Sequence, residues 1–300
     1  MMGGKIKILY LKQEWIDNIG NAFIDMGAII SLIYACPPNK EIFLIPVSHY
    51  SFSLLSGYHS YPWFSFLLSW QSIMFFFDIF QKVCPAIFKK KMMRRPIKKR
   101  NVKYALDIAG SIKVDFVVVS GMVLNEYFLD LYGDTLTKLK KRGVKIIFYG
   151  CGGSSYLGSE VEYVRRKLEE IEPYAITTRD SIAFKHYRDL AEFSYDGIDC
   201  GFFVNYYPIK EIVVDLPPYI VLCFDDLLNV HNITKIAKEI EKQFSKEYMI
   251  VKTTHSVDPR MSLLRFSLHS NKSTWLISDS PIDYLILYAH TQATYTDKVH

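Results

Sequence analysis

Five groups in this sequence have residue types and spacing that could do chemistry: an arginine at a strand end, a glycine run, two asparagines, a glutamate and a Lys/His pair. Arg179 lies in Thr178-Arg-Asp-Ser181, where a short apolar strand gives way to a helix. A guanidinium there can act with the positive end of a helix dipole on a carboxylate or phosphate. The plain alternative is a surface ion pair with Asp180. Gly150, Gly152 and Gly153 follow a strand. They either line a ligand site or form a tight turn that needs positive φ. Asn18 and Asn21 follow the first strand and either hydrogen-bond a hydroxylated ligand or cap a helix. Glu126 follows the strand at 115–120. It is the carboxylate nearest the expected cleft, and so either a general base or a plain exposed glutamate. Lys298 and His300 follow the final strand. Among the other histidines, His186 reads as exposed on a helix and His255 follows the strand at 249–254. His49 and His59 have no partner pattern.

Several chemistries are excluded. No H-x-x-x-H, D-x-D or paired-carboxylate spacing supports a metal, so none is expected. There is no phosphate-binding G-x-x-x-x-G-K-[ST] and no G-x-S-x-G nucleophile turn. The five cysteines, Cys36, Cys84, Cys151, Cys200 and Cys223, are odd in number and widely spaced. That argues against a disulfide framework or zinc site and for a reducing, cytoplasmic setting.

These groups are positioned by alternating strands and helices. Apolar runs at 5–11, 42–47, 115–120, 144–149 and 174–178 read as strands. Helices are expected at 22–34, 132–142, 160–172 and 181–190, with Pro37-Pro38, Gly143 and Pro173 as stops. Residues 205–218 end in Leu-Pro-Pro and read as a linker. The pattern then restarts, with strands at 220–224, 249–254, 275–278 and 293–297 and helices at 232–246 and 281–290. This predicts an α/β chain of two Rossmann-like domains, 1–207 and 219–300, facing a cleft. The second domain ends on a strand with no helix after it, so it reads as incomplete at residue 300.

The 300 residues are 50% hydrophobic and 22% charged, which fits a packed globular chain and excludes a disordered one. The formal charge of +5 falls to −3 without the eight basic residues of 89–100, KKKMMRRPIKKR. A generally basic nucleic-acid surface is therefore not expected, and one basic patch is. The segment 49–100 forms an insert in the first domain. Tyr61–Phe80 holds a single charge, Asp78. It has the roughly 20 residues a membrane span needs, but Ser65, Ser69, Gln71, Ser72 and Asp78 interrupt it. A helix buried in the protein or lying on a membrane fits better, and the basic run beside it suits anionic lipid through 61–100.

Six segments, in order, resemble the polysaccharide pyruvyl transferase family. They are Asn18-Ile-Gly-Asn21, Ser120-Gly-Met122, Tyr149-Gly-Cys-Gly-Gly153, Thr178-Arg-Asp-Ser181, Asp199-Cys-Gly-Phe202 and Thr296-Asp-Lys-Val-His300. Asn21 stands where the family has Asp, Gly121 is alone where it is glycine-rich, and Lys298 replaces Arg. The resemblance implies a GT-B-like fold and transfer of the enolpyruvyl unit of phosphoenolpyruvate to a sugar diol, with no separate cofactor. The product would be a pyruvate ketal and free phosphate. The acceptor would be a cell-surface polysaccharide or its lipid-linked precursor at the inner face of the membrane. Arg179, Lys298, Gly150, Gly152 and Gly153 would then hold the donor, with Asn18 and Asn21 on the acceptor. His300 would be the general acid and Glu126 a base. Two other readings stand beside it: a GT-B-like glycosyltransferase using a nucleotide sugar, and a non-catalytic membrane-associated binding protein.

Overall fold

The computed structural model describes residues 5–12, 19–48, 109–224, 230–254, 268, 270, 272–276 and 281–296. Residues 1–49 and 109–300 form one compact unit and 50–108 a second. The insert expectations, with His49 and His59, lie outside the described residues.

The first sheet has six strands, all parallel: β1 (Lys5–Lys12), β2 (Glu41–Ser48), β3 (Phe116–Leu124), β4 (Lys145–Gly153), β5 (Ala175–Thr178) and β6 (Phe193–Asp196). Their order is β2-β1-β3-β4-β5-β6. The chain therefore reverses direction across the sheet between β1 and β3, and at such a switch point strand ends part and leave a crevice.

Alternation along the strands sends side chains to two helical layers. Leu9, Leu11, Val117, Val119, Ile146 and Phe148 pack under α2 (Glu126–Lys141), α3 (Gly158–Ile171) and α4 (Ser181–Tyr187). Ile8, Tyr10 and Val118 face α1 (Ile19–Ala35). Helix α1 is apolar enough to be buried along much of its length, and Pro37-Pro38 stops it. Gly27 lets it approach the 3-10 turn Cys200–Tyr206, since a Cβ there would lie 1.8 Å from the Cys200 carbonyl oxygen.

The second sheet is β7 (Tyr219–Cys223), β8 (Met249–Thr253), β9 (Ser273–Trp275) and β10 (Ala293–Thr296), parallel in the order β10-β7-β8-β9. Helix α5 (Val230–Phe244) covers one face through Ile233, Ala237 and Ile240. Helix α6 (Pro281–His290) covers the other through Leu287. The ion pair between Lys252 and Glu241 is buried between β8 and α5, and Lys252 Nζ also donates to the Leu268 carbonyl. Burial alone would raise the Glu241 carboxyl, but Lys252, Ser270 and Ser273 bring it below its ordinary value. Helix α6 meets the first turns of α1, where Tyr284 packs on Ile19 and Ala22 and Tyr288 lies edge-on to Phe23.

The structure corrects several boundaries. Residues 150–153 are not a loop but the end of β4, bulged against its neighbours. Helix α2 begins at Glu126 rather than 132, because Asn125 caps it by accepting the Phe128 N–H at 2.9 Å. The first part of the expected linker, 205–218, is taken up by two 3-10 turns, Cys200–Tyr206 and Pro208–Glu211. Strand β6 was not anticipated. It is a short edge strand with mostly exposed side chains, so it carries little apolar pattern.

Candidate functional site

The candidate site lies at the C-terminal edge of the first sheet, where β4 and β5 end. Gly150 has φ +58, and its N–H donates to Thr177 Oγ1 at 2.7 Å. A Cβ there would lie 2.5 Å from Cys200 Sγ. The positive φ expected of this glycine is present, but at an irregularity of β4 rather than in a turn. A Cβ at Gly152 would meet Arg179 Nε at 2.5 Å, and one at Gly153 would meet the Tyr156 ring at the same distance. The glycine run therefore makes room for the chain's own side chains. The Gly153 N–H donates to Tyr156 Oη at 2.7 Å, and that hydroxyl donates to Asp180 Oδ2 at 2.7 Å. Tyr156 sits at φ +51, a costly backbone for a non-glycine residue. Burial and then the bond to Asp180 push its phenol well up, so it stays protonated.

Arg179 is anchored at both ends. Its backbone N–H donates to the Cys151 carbonyl at 2.9 Å. Its Nη1 donates to Asp199 Oδ2 at 2.9 Å, and both side chains are about a quarter exposed. The other Asp199 oxygen accepts the Gly201 N–H at 2.7 Å. Arg179 therefore pairs with Asp199 and not with Asp180 as the sequence suggested. Among the described residues Asp199 is its only side-chain partner, which leaves most of the five guanidinium donors unspent. The expected help from a helix dipole fails. Helix α4 has seven residues, and the Asp180 carboxylate already caps it through the Ala183 N–H at 2.7 Å. With Tyr156 on its other oxygen, Asp180 is occupied on both sides. Nearby, Glu160 folds the preceding loop. Burial would raise its carboxyl, but bonds from Ser154, Ser155 and the Tyr156 N–H pull it below its ordinary value.

A second polar cluster lies beneath the β1/β3 switch point. Tyr10 Oη donates to Asp25 Oδ1 at 2.8 Å and contacts Ser120 Oγ at 2.5 Å, and all three side chains are buried. Sequence reasoning gave none of these three a role. The signal was present, since Asp25 is the one charge in the seventeen residues of α1. A lone carboxylate on a buried apolar helix must find hydrogen-bond donors.

The other expected residues are distributed unevenly. Asn21 is half-buried in the first turn of α1, next to the contact with α6. Glu126 is exposed at the start of α2, and its charge acts on Tyr163 of α3. His186, read as exposed, is half-buried beside Tyr156 and Tyr187. Asn18, His255, Lys298 and His300 lie outside the described residues. Lys298 and His300 follow β10, which borders β7 at the switch point of the second sheet. Cys151, Cys200 and Cys223 are buried and form no disulfide among the described residues. Among the described residues no group of three or more His, Cys, Asp or Glu could hold a metal, and no helix is long and apolar enough to cross a membrane.

No protein-family model matches this chain, and no curated protein matches it. Solved structures do. The chain is similar to S. aureus MnaA solved with UDP, at 14% identity and TM-score 0.52, covering 98% of this chain and 74% of that one. A putative UDP-N-acetylglucosamine 2-epimerase from Listeria monocytogenes matches at 11% identity and TM-score 0.51 over the same shares. A further UDP-N-acetylglucosamine 2-epimerase matches at 12% identity and TM-score 0.53, again over 98% and 74%. At such identities the likeness is one of fold. The chain has the GT-B-like arrangement of two Rossmann-like halves.

Proposed function

We propose that this chain is a sugar-processing transferase that holds an anionic donor at Arg179. The observation that carries the reading is a convergence: Gly152, Arg179 and Asp199 come from three separate segments and meet at one point of the strand edge. A guanidinium fixed by a carboxylate on one side, with donors to spare, suits a carboxylate or phosphate ligand.

The specific reaction we assign is pyruvyl transfer. One acceptor hydroxyl adds to the enol carbon of phosphoenolpyruvate while an acid protonates its methylene carbon. A second hydroxyl then displaces phosphate, giving a cyclic ketal. The support is the ordered resemblance to polysaccharide pyruvyl transferases, whose third, fourth and fifth segments are the ones that converge. Lys298 and His300 would complete the donor site, with His300 as the acid. The basic run would hold the protein at an anionic membrane carrying the acceptor. A nucleotide-sugar donor is the second reading. The fold likeness to S. aureus MnaA solved with UDP favours it, and nothing in that likeness bears on phosphoenolpyruvate.

The test is incubation with phosphoenolpyruvate, UDP-sugars or GDP-sugars and lipid-linked or free glycan acceptors. Phosphate release coupled to an acceptor gaining one pyruvate less one water supports pyruvyl transfer. Nucleotide release with a glycosylated acceptor replaces it with the second reading. Release of neither contradicts a transferase.

A further inference from the structure

Asp180 adjoins Arg179 in the chain, yet among the described residues Arg179 pairs with Asp199 alone. Distance does not explain this. The position a Gly152 Cβ would take lies 2.5 Å from Arg179 Nε and 3.1 Å from Asp180 Oδ2. At most the sum of those distances separates the two atoms, less than two hydrogen-bond lengths. Nε is also available, since Asp199 takes Nη1. Opposite charges this close attract strongly where water is partly excluded. What holds Asp180 instead is Tyr156. Its hydroxyl accepts the Gly153 N–H and donates its single proton to Asp180 Oδ2, each at 2.7 Å. Burial and then the bond to Asp180 keep the phenol protonated, so it remains a donor. Tyr156 is set in place at a cost. Its φ of +51 is left-handed backbone, and Glu160 gathers the loop by accepting the Ser155 N–H at 2.9 Å and the Tyr156 N–H at 3.1 Å. Strain of this kind persists only where the surroundings impose it, and it gathers at ligand sites.

We propose that Tyr156 is a positioning residue that reserves Arg179 for an anionic donor, its hydroxyl holding the Asp180 carboxylate off the guanidinium. The inference rests on the transferase reading above and adds what keeps that anion site open. Without the hydroxyl, Asp180 Oδ2 loses its donor and turns to Arg179 Nε. Arg179 then lies between two carboxylates, Asp199 on Nη1 and Asp180 on Nε, and its charge is more than offset. A carboxylate or phosphate has to displace Asp180 before it can bind. Apparent affinity therefore falls by the fraction of molecules in which Arg179 is clear of Asp180. Tyr156 acts through Asp180 and Arg179, so its loss belongs in KM and leaves kcat unchanged.

The test compares wild type with Tyr156→Phe, Asp180→Asn and their double variant. Asparagine is also a good helix cap, so Asp180→Asn keeps the bond from the Ala183 N–H. In the donor-free protein, the Arg179 Nε–H resonance should move in Tyr156→Phe and exchange more slowly with water. In the double variant it should match Asp180→Asn. A resonance that is the same in wild type and Tyr156→Phe overturns the proposal. Calorimetric titration with phosphoenolpyruvate and with UDP then reads the site itself. With Asp180 on Arg179 about nine-tenths of the time, Tyr156→Phe should bind about tenfold more weakly. Adding Asp180→Asn should restore the affinity. Equal weakening in Tyr156→Phe and the double variant marks a merely structural role and overturns the proposal. Tyr156→Gly removes the same hydroxyl and suits φ +51, so it serves if Tyr156→Phe does not fold. If wild type binds neither compound, the transferase reading fails, and the resonance, measured without donor, still decides whether Tyr156 holds Asp180 off Arg179.

Discussion

Replacing Gly152 with alanine should displace the Arg179 guanidinium and so weaken donor binding, at a modest cost in stability. The added Cβ would lie 2.5 Å from Arg179 Nε and 3.3 Å from its Cδ, whereas ordinary contact begins at 3.4 Å. The guanidinium must therefore retreat by roughly 0.9 Å, which carries a 2.9 Å bond to Asp199 beyond hydrogen-bonding range. A hydrogen bond to a charged group contributes about 1.5–3 kcal/mol. With both side chains a quarter exposed, about 1–2 kcal/mol is the appropriate range. That is the stability Gly152→Ala should lose, and donor binding should weaken as the guanidinium leaves its place. Gly152 does not have positive φ, so alanine costs no backbone strain there, and the displaced atoms belong to a flexible side chain. Gly143→Ala is the control. Gly143 has φ +82 and open space around its Cβ position, so the variant should lose about 1 kcal/mol of stability to strain and keep its affinity. Isothermal calorimetry and thermal melting of both variants read the two quantities. Wild-type affinity in Gly152→Ala, or equal losses of affinity in both variants, would refute the argument that Arg179 is placed by the glycine.

Other outcomes are expected. Lys252→Met should cost about 3–5 kcal/mol by denaturant melting, because it leaves Glu241 charged and buried, while Lys252→Met with Glu241→Leu should be close to neutral. Glu241 titrates below its ordinary value. The stability it contributes should be full above the ordinary carboxylate value of about 4.3 and lost as pH falls through the lower folded one. Gly27→Ala drives a Cβ into backbone at Cys200 and should destabilise by about 1–3 kcal/mol or more, seen as a lower melting temperature. Burial raises the thiols of Cys151 and Cys200, so both should resist alkylation at pH 8 until the protein unfolds, as read by mass spectrometry.

Much of the fold was legible in the sequence because long apolar strands and Gly- or Pro-stopped helices leave a strong pattern. Strand β1, helix α6 and the restart at Tyr219 are of this kind. What escaped was decided by tertiary contact. The end of β4 looked like a loop because three of its last four residues are glycine, yet they are strand residues whose missing side chains admit Cys200, Arg179 and Tyr156. Arg179 was visible as a candidate, but its true partner lies twenty residues away and is brought near only by the turn at 199–206. Asp25 was hidden because its partners sit on two strands separated by over a hundred residues.

The most direct test of the central claim is calorimetric titration of the protein with phosphoenolpyruvate, UDP-sugars and GDP-sugars, repeated with Arg179→Ala. The account predicts that one of these phosphate-bearing donors binds and that Arg179→Ala weakens it at least tenfold, about 1.4 kcal/mol. Undiminished binding by Arg179→Ala, or no binding of any donor with acceptor present, would contradict an anion site at Arg179.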